Sequence, residues 1–237
     1  TGKGQYTDDV KTNAQAYVVF VRSEVAHGNI KTIDTSTAIR SKGVLAVYTG
    51  EDLRNAGIKD IPCPIAVKSR DGSAAIVPPR PAMAASQVKY VGDPIVAVVA
   101  ETVALGKDAA ALVQIDIEPL PSVTDPVEAS KDGTPRVWDQ AERNTCLDFH
   151  WGNDEAVEKA FAAAAHITRI TLTNTRMIVS AMEPRAAIAK YDSQKEKYTL
   201  HVGTQGVTGF RNSIANILDI KTEKIRVLSE EVGGSLE

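Results

Sequence analysis

The stretch "YTLHVGTQGVTGFRNSIANILDIKTEKIRVLSEEVGG", residues 198–234, reads as strand, helix and strand, with a polar loop after each strand. Residues 197–203 form the first strand. In 208–220, Phe210, Ile214, Ile217 and Leu218 recur on one helix face, and Thr208 suits the N-cap. Residues 224–229 read as a buried strand. The two loops are Thr204-Gln205-Gly206 and Gly233-Gly234-Ser235. A strand-to-helix loop leaves backbone N–H groups free at the helix start, where anionic or polar cofactors bind. Gly206 permits close approach, and the Gln205 amide both donates and accepts. The same residues also suit an ordinary surface connection. If the two strands are neighbours, both loops end on one edge of the sheet. A cleft at the carboxyl ends of strands is a common ligand position in parallel sheets. The sequence leaves the strand directions open.

Working outward, residues 186–192 and 197–203 form a hairpin around a charged loop. Residues 166–174, "HITRITLTN", read as a strand. Before it, Asn153 or Asp154 caps a helix with Val157, Ala160, Phe161 and Ala164 on one stripe, which predicts a helix buried on one face. Further upstream, 15–22, 29–34 and 43–50 read as strands. Thr49 caps a helix whose first turn holds Glu51 and Asp52. Residues 58–81 carry five prolines and no apolar period, so they read as loop. Residues 88–91 are read as a strand, then Gly92-Asp93-Pro94 as a turn. The β-branched run 95–100 predicts a strand buried on both faces. Thr102 caps a helix that runs through Gly106, and a strand follows at 114–117.

The stretch "EPLPSVTDPVEASKDGTP" holds four prolines and reads as a linker. The expected domains are 1–120 and 146–237, with 121–145 between them. Helices and strands mix without strict βαβ alternation, so both parts are expected to be α+β.

Composition narrows the function. With 237 residues the chain can hold one large or two ordinary domains, and its 43% hydrophobic share is ordinary for a globular protein. A net charge of -3 with no basic block argues against nucleic acid as a partner. No apolar run approaches the roughly 20 residues of a membrane span. Cys63 and Cys146 lack a second ligand at metal spacing and are expected to be free thiols. The four histidines form no ligand pair in sequence. Gly2-Lys3-Gly4 is half a dinucleotide fingerprint with no preceding strand. Asp8-Asp9 and Glu230-Glu231 read as solvated surface. In Glu183-Pro184-Arg185 the proline fixes a bend, and the flanking charges could pair or bind an anion. No self-contained catalytic centre emerges.

Taken in order, these landmarks resemble one family. "GKGQYTDD", "VFVRSEVAHGNI", "GVLAVYTGEDL" and "VKYVGDPIVAVVAET" resemble the hammerhead α/β domain of the molybdenum hydroxylases, the xanthine dehydrogenase and aldehyde oxidase family. "DIEPLPSVTDPVEA" is similar to the exit from that domain. "NTRMIVSAMEPRAAIAKYD", "YTLHVGTQGV" and "KIRVLSEEVGG" are similar to the start of the molybdopterin-binding domain. The style is that of the bacterial carbon monoxide dehydrogenase large subunits. The resemblance implies an oxidative hydroxylase that takes oxygen from water at a molybdenum–molybdopterin centre. It also implies a medium subunit with FAD and a small subunit with 2Fe-2S clusters, in a cytoplasmic dimer of heterotrimers.

For the site, the resemblance implies that Gln205, with Gly206 beside it, contacts the molybdenum's apical oxo ligand. It makes Gly233 and Gly234 the start of a glycine-rich loop against the cofactor. No residue here matches the family's catalytic glutamate, and no direct metal ligand is implied. The family pattern expects Phe-Gly after Ser235, where this chain has Leu236-Glu237. The chain is therefore expected to be an N-terminal fragment, inactive and free of molybdenum alone. It is also expected to self-associate through apolar surface. The alternative is a complete, non-enzymatic α+β binding or assembly module.

Overall fold

The computed structural model describes residues 2–174 and 183–233. Its first part is built on two three-stranded antiparallel sheets. In one, β5 (Pro94–Ala100) lies between β1 (Tyr17–Arg22) and β3 (Val44–Thr49). In the other, β2 (Gly28–Asp34) lies between β4 (Gln87–Val88) and β6 (Gln114–Pro119). As the β-branched run predicts, Ile95, Val96 and Val98 of β5 are fully buried. With Ala84, Val88 and Ala109 they form the core, and Ile30, Ile33, Val47 and Ile115 pack against it.

Helix α1 (Ser36–Ile39) precedes β3, and α2 (Gly50–Asn55) follows it directly. Thr49 caps α2 as expected: its hydroxyl accepts the Asp52 N–H at 3.3 Å, and Asp52 accepts the Thr49 N–H at 2.7 Å. The Thr49 hydroxyl, then its backbone N–H, hold the Asp52 carboxyl below the usual aspartate value. Helix α3 (Val103–Ala110) is capped by Thr102 and packs on the β1–β5–β3 sheet. Its glycine is a packing device. A Cβ on Gly106 would lie 2.8 Å from Val19 Cγ2, so glycine lets the helix approach β1 closely.

Lys89, just after β4, gathers the chain that follows the sheets. Its Nζ donates to the Val137 carbonyl at 2.6 Å and to Gln87 Oε1, and lies 4.4 Å from the Trp138 ring centre. His27 is buried beside it, with Nδ1 3.1 Å from the Pro121 carbonyl oxygen. Burial pulls the Lys89 ammonium below its ordinary value, against the pull of Asp139 and Asp93. Between these anchors runs the proline-rich stretch, which contains one short helix, α4 (Pro126–Ala129), capped by Asp125. Cys63 and Cys146 are free thiols.

The second part holds α5 (Asp154–Ala163) and a three-stranded sheet of β7 (Ala187–Asp192), β8 (Lys197–Val202) and β9 (Ile225–Leu228). β7 and β8 are the expected hairpin. Helix α6 (Val207–Leu218) connects β8 to β9, which pair in parallel. This is a β–α–β unit, so the chain is α+β with one parallel crossover among the described residues. The two parts meet through Lys59, which donates its N–H to the Ile217 carbonyl at 2.9 Å and its ammonium to Asp219 at 2.7 Å. The start of the chain also touches the end of the second part, where Gly4 lies against Glu231.

Four local expectations need correction. The strand at 88–91 shrinks to β4, because 90–93 turn back and Val91 is exposed. The strand at 166–174 does not form: none of the described strands pairs with it, and a lone strand leaves its ladder groups unbonded. Helix α5 forms and Asn153 caps it, but its apolar face is not buried, with Val157 50% and Phe161 51% exposed. Finally, the N-cap of α6 is Gly206 rather than Thr208, and no side chain caps the helix. The loop entering from β8 continues straight into the helix, so Thr208 already lies in its first turn.

Candidate functional site

The parallel pairing answers the question that the sequence leaves open. Tyr198 to His201 of β8 align with Ile225 to Leu228 of β9 in the same direction. Their carboxyl ends therefore lie side by side, and the loops after them share one edge of the sheet. Gln205 and Gly206 are brought there by β8, and Gly233 by the chain after β9. Gly234, the fourth residue expected at the site, lies outside the described residues.

The Gln205 loop is held from its own sheet. Thr204 donates its N–H to Ser229 Oγ at 3.2 Å, and Ser229 Oγ donates back to the Thr204 carbonyl at 3.0 Å. One hydroxyl thus pins the loop to the end of β9. The Gly206 N–H reaches Thr204 Oγ1 at 3.3 Å. Gln205 and Gly206 themselves are exposed.

Helix α6 starts here without a side-chain cap, so its first N–H groups keep their donor capacity and the positive end of the helix dipole faces the loop. Gly206 has φ −143°, which any residue adopts, and a Cβ there would meet nothing within 4 Å. Neither backbone conformation nor a neighbour among the described residues demands glycine at this position. A ligand approaching the backbone would. The donor set is an exposed amide beside uncapped helical N–H groups, and it suits an anionic or oxygen-rich group.

Gly233 is different. A Cβ there would fall 2.5 Å from Glu183 Cβ, and its N–H donates to Glu183 Oε2 at 2.6 Å. The sequence signals a close approach by this glycine, and among the described residues the neighbour it approaches is Glu183. The bend at Pro184 was legible; the partner, fifty residues away in the chain, was not. Ser229 was likewise missed, since a serine at a strand end carries no distinctive signal.

Asp93 is buried between β4 and β5, which pushes its carboxyl up, while its Oδ2 accepts the Lys89 N–H at 3.0 Å. His150 pairs with Asp154 at 3.3 Å. Among the described residues no cluster of three or more His, Cys, Asp or Glu could hold a metal ion, and no helix is long and apolar enough to cross a membrane.

Residues 1–121 match the aldehyde oxidase and xanthine dehydrogenase a/b hammerhead domain, and residues 137–236 match the molybdopterin cofactor-binding domain. The chain is 32% identical to the nicotine 6-hydroxylase large subunit of Paenarthrobacter nicotinovorans, over 99% of this chain and 28% of that protein. The fold superposes on a Cu,Mo-CO dehydrogenase with a TM-score of 0.83 and 29% identity, covering 99% of this chain and 30% of the other. It superposes on quinoline 2-oxidoreductase from Pseudomonas putida 86 with a TM-score of 0.84 and 27% identity, covering 99% of this chain and 29% of the other. The chain thus spans less than a third of the length of these relatives. With a family model matching its first 121 residues and a cofactor-domain model matching most of the rest, the chain belongs to the molybdenum hydroxylase family of aldehyde oxidases and xanthine dehydrogenases.

Proposed function

We propose that these residues form part of the molybdenum-cofactor subunit of an oxidoreductase that hydroxylates a small substrate with water as oxygen source. The substrate class is carbon monoxide, an aldehyde, a purine or an N-heterocycle. The observation that carries the reading is the parallel β8–β9 pair, which sets the uncapped start of α6 and the exposed Gln205 beside the glycine turn. Residues 1–120 serve as a hammerhead domain with a packing role, 121–145 as the linker, and 146–237 as the opening of the cofactor domain. The partners are an FAD-binding medium subunit and a 2Fe-2S small subunit, as a cytoplasmic dimer of heterotrimers.

When bound, the molybdenum–pterin group supplies two-electron oxidation coupled to oxygen transfer from water. This chain's contribution is binding and orientation. Gln205 would donate its amide N–H to an oxygen of the group, and the first turn of α6 would present backbone N–H groups to its anionic part, with Gly206 leaving room for the approach. Gly234 belongs with this turn. The general acid–base step falls to no residue of this chain.

These 237 residues alone are expected to retain no molybdenum. One hydrogen bond contributes about 0.5–1.5 kcal/mol net, while nanomolar binding needs about 12 kcal/mol. The test is molybdenum and oxidised-pterin content of the polypeptide purified from its native host with its partners, beside that of the 237 residues alone. Stoichiometric pterin in the first and none in the second is the expected pair of results. A folded, assembled polypeptide without pterin would overturn the reading.

A further inference from the structure

Two loops leave the same end of the β8–β9 pair, and one side chain lies against both. Gly203 follows β8, and Gly233 follows β9 after a short tail. Glu183 Oε2 accepts the Gly233 N–H at 2.6 Å. Its other oxygen lies against Gly203, where a built Cβ would be only 3.0 Å from Oε1. The backbone of Glu183 is also close, since a Cβ on Gly233 would lie 3.3 Å from Glu183 N and 2.5 Å from its Cβ. The carboxylate is thus wedged between the two turns, with one oxygen toward each.

This arrangement assigns the glycines. The Gly233 N–H already has a charged acceptor, and hydrogen bonds to ionised groups are the stronger kind. It is therefore committed within the chain and does not reach toward a ligand. Residue 233 is glycine because Glu183 occupies the space of a side chain. Gly203 likewise leaves room for the carboxylate. Gly206, where a built Cβ meets none of the described residues within 4 Å, is the glycine that faces outward.

We infer that Glu183 is a positioning residue: it fixes the spacing between the Gln205 loop and the glycine turn, and Gly233 serves that contact rather than touching the cofactor. The inference rests on the reading of these loops as a cofactor site. Its structural content stands apart from that reading, so the two fail separately. Ser229 ties the Gln205 loop to β9 independently, so losing Glu183 loosens the loop pair without unfolding the sheet.

The experiment is amide hydrogen exchange at Gly233, Thr204 and Gly206 in Glu183→Ala and Glu183→Gln, with Val96 and Val98 of β5 as reference. It needs no cofactor. Glu183→Ala is expected to speed exchange in both loops by about tenfold or more, in line with a lost charge-assisted bond. The β5 amides stay unchanged. Glu183→Gln, whose amide oxygen can still accept the N–H, restores most of the protection. Unchanged exchange, a change confined to Gly233, or failure of the glutamine to rescue would each overturn the inference. Should Glu183→Ala not fold, Gly203→Ala keeps the carboxylate and crowds it from the other side; unchanged exchange at Gly233 in that variant would overturn the inference equally. In the assembled polypeptide, Gln205→Ala losing pterin while the Glu183 variants leave exchange untouched would sink the wedge and leave the cofactor site standing.

Discussion

The first part of the chain closes on itself, and the described residues of the second part do not. In the first, β5 carries a run of fully buried residues, and α3 covers one face of its sheet. Beyond residue 141, the only buried hydrophobics among the described residues are Ala215 and Ile225. Helices α5 and α6 show the difference most clearly, because their sequences look alike. Both carry an amphipathic stripe and a fitting start. α6 packs on β9, whereas Val157 and Phe161 of α5 stay half-exposed. An amphipathic pattern states that a face is suited to burial; it does not say that the same 237 residues supply the cover. The hammerhead model matches the first part, residues 1–121, and the chain spans under a third of its relatives.

Four substitutions would break or sharpen this contrast. The largest effect is expected at Ile95, fully buried in β5. Ile95→Ala should destabilise the first part by about 2–5 kcal/mol in chemical denaturation. A loss under about 1 kcal/mol would mean that the core is not closed. Next comes Lys89, which holds Val137 and Trp138 to the sheets. Lys89→Met removes a charge-assisted bond of about 1.5–3 kcal/mol. It should shift Trp138 fluorescence to the red and speed proteolysis in 121–136; unchanged emission would show that the linker is anchored otherwise.

Thr49→Ala removes the α2 cap at about 1 kcal/mol. It also removes the bonds that hold Asp52 below its ordinary pKa. The sign follows. A lowered folded pKa stabilises above the unfolded value, near 3.9, and that stability is lost as pH falls through the folded value. The gap between wild type and Thr49→Ala should therefore narrow on acidification below about pH 4. A gap that widens in acid would contradict the capping geometry. The smallest effect is expected at α5. Phe161→Ser should change stability by no more than about 0.5 kcal/mol. It should nonetheless lower self-association in light scattering, since it removes exposed apolar surface. A loss of several kcal/mol would show that α5 is covered within the chain after all.

The sequence disclosed what depends on neighbours in sequence. The run 95–100, the caps Thr49, Asn153 and Thr102, and the stripe of α6 all rest on periodicity and local hydrogen bonding, and all appear. Apart from the Thr208 cap, a local reading that Gly206 displaces, what failed depends on distant partners. The strand at 166–174 needs a neighbouring strand, and the α5 face needs a cover. The parallel direction of β8 and β9 was beyond reach, because two strand patterns look the same in either orientation. Gln205 and Gly206 lie where the sequence puts them, on the loop between β8 and α6, and the close approach of Gly233 follows from its residue type. Glu183 was visible as a charge near a bend, while its partner at Gly233 becomes evident only once β8 and β9 lie side by side.

The most direct test is pterin occupancy of the assembled polypeptide after Gln205→Ala. Gln205 is exposed and far from the core, so the fold should survive, which circular dichroism would verify. Loss of one hydrogen bond predicts a fall in cofactor affinity of up to about tenfold. Wild-type occupancy under limiting cofactor, with unchanged turnover, would contradict the placement of the cofactor at this edge of the sheet.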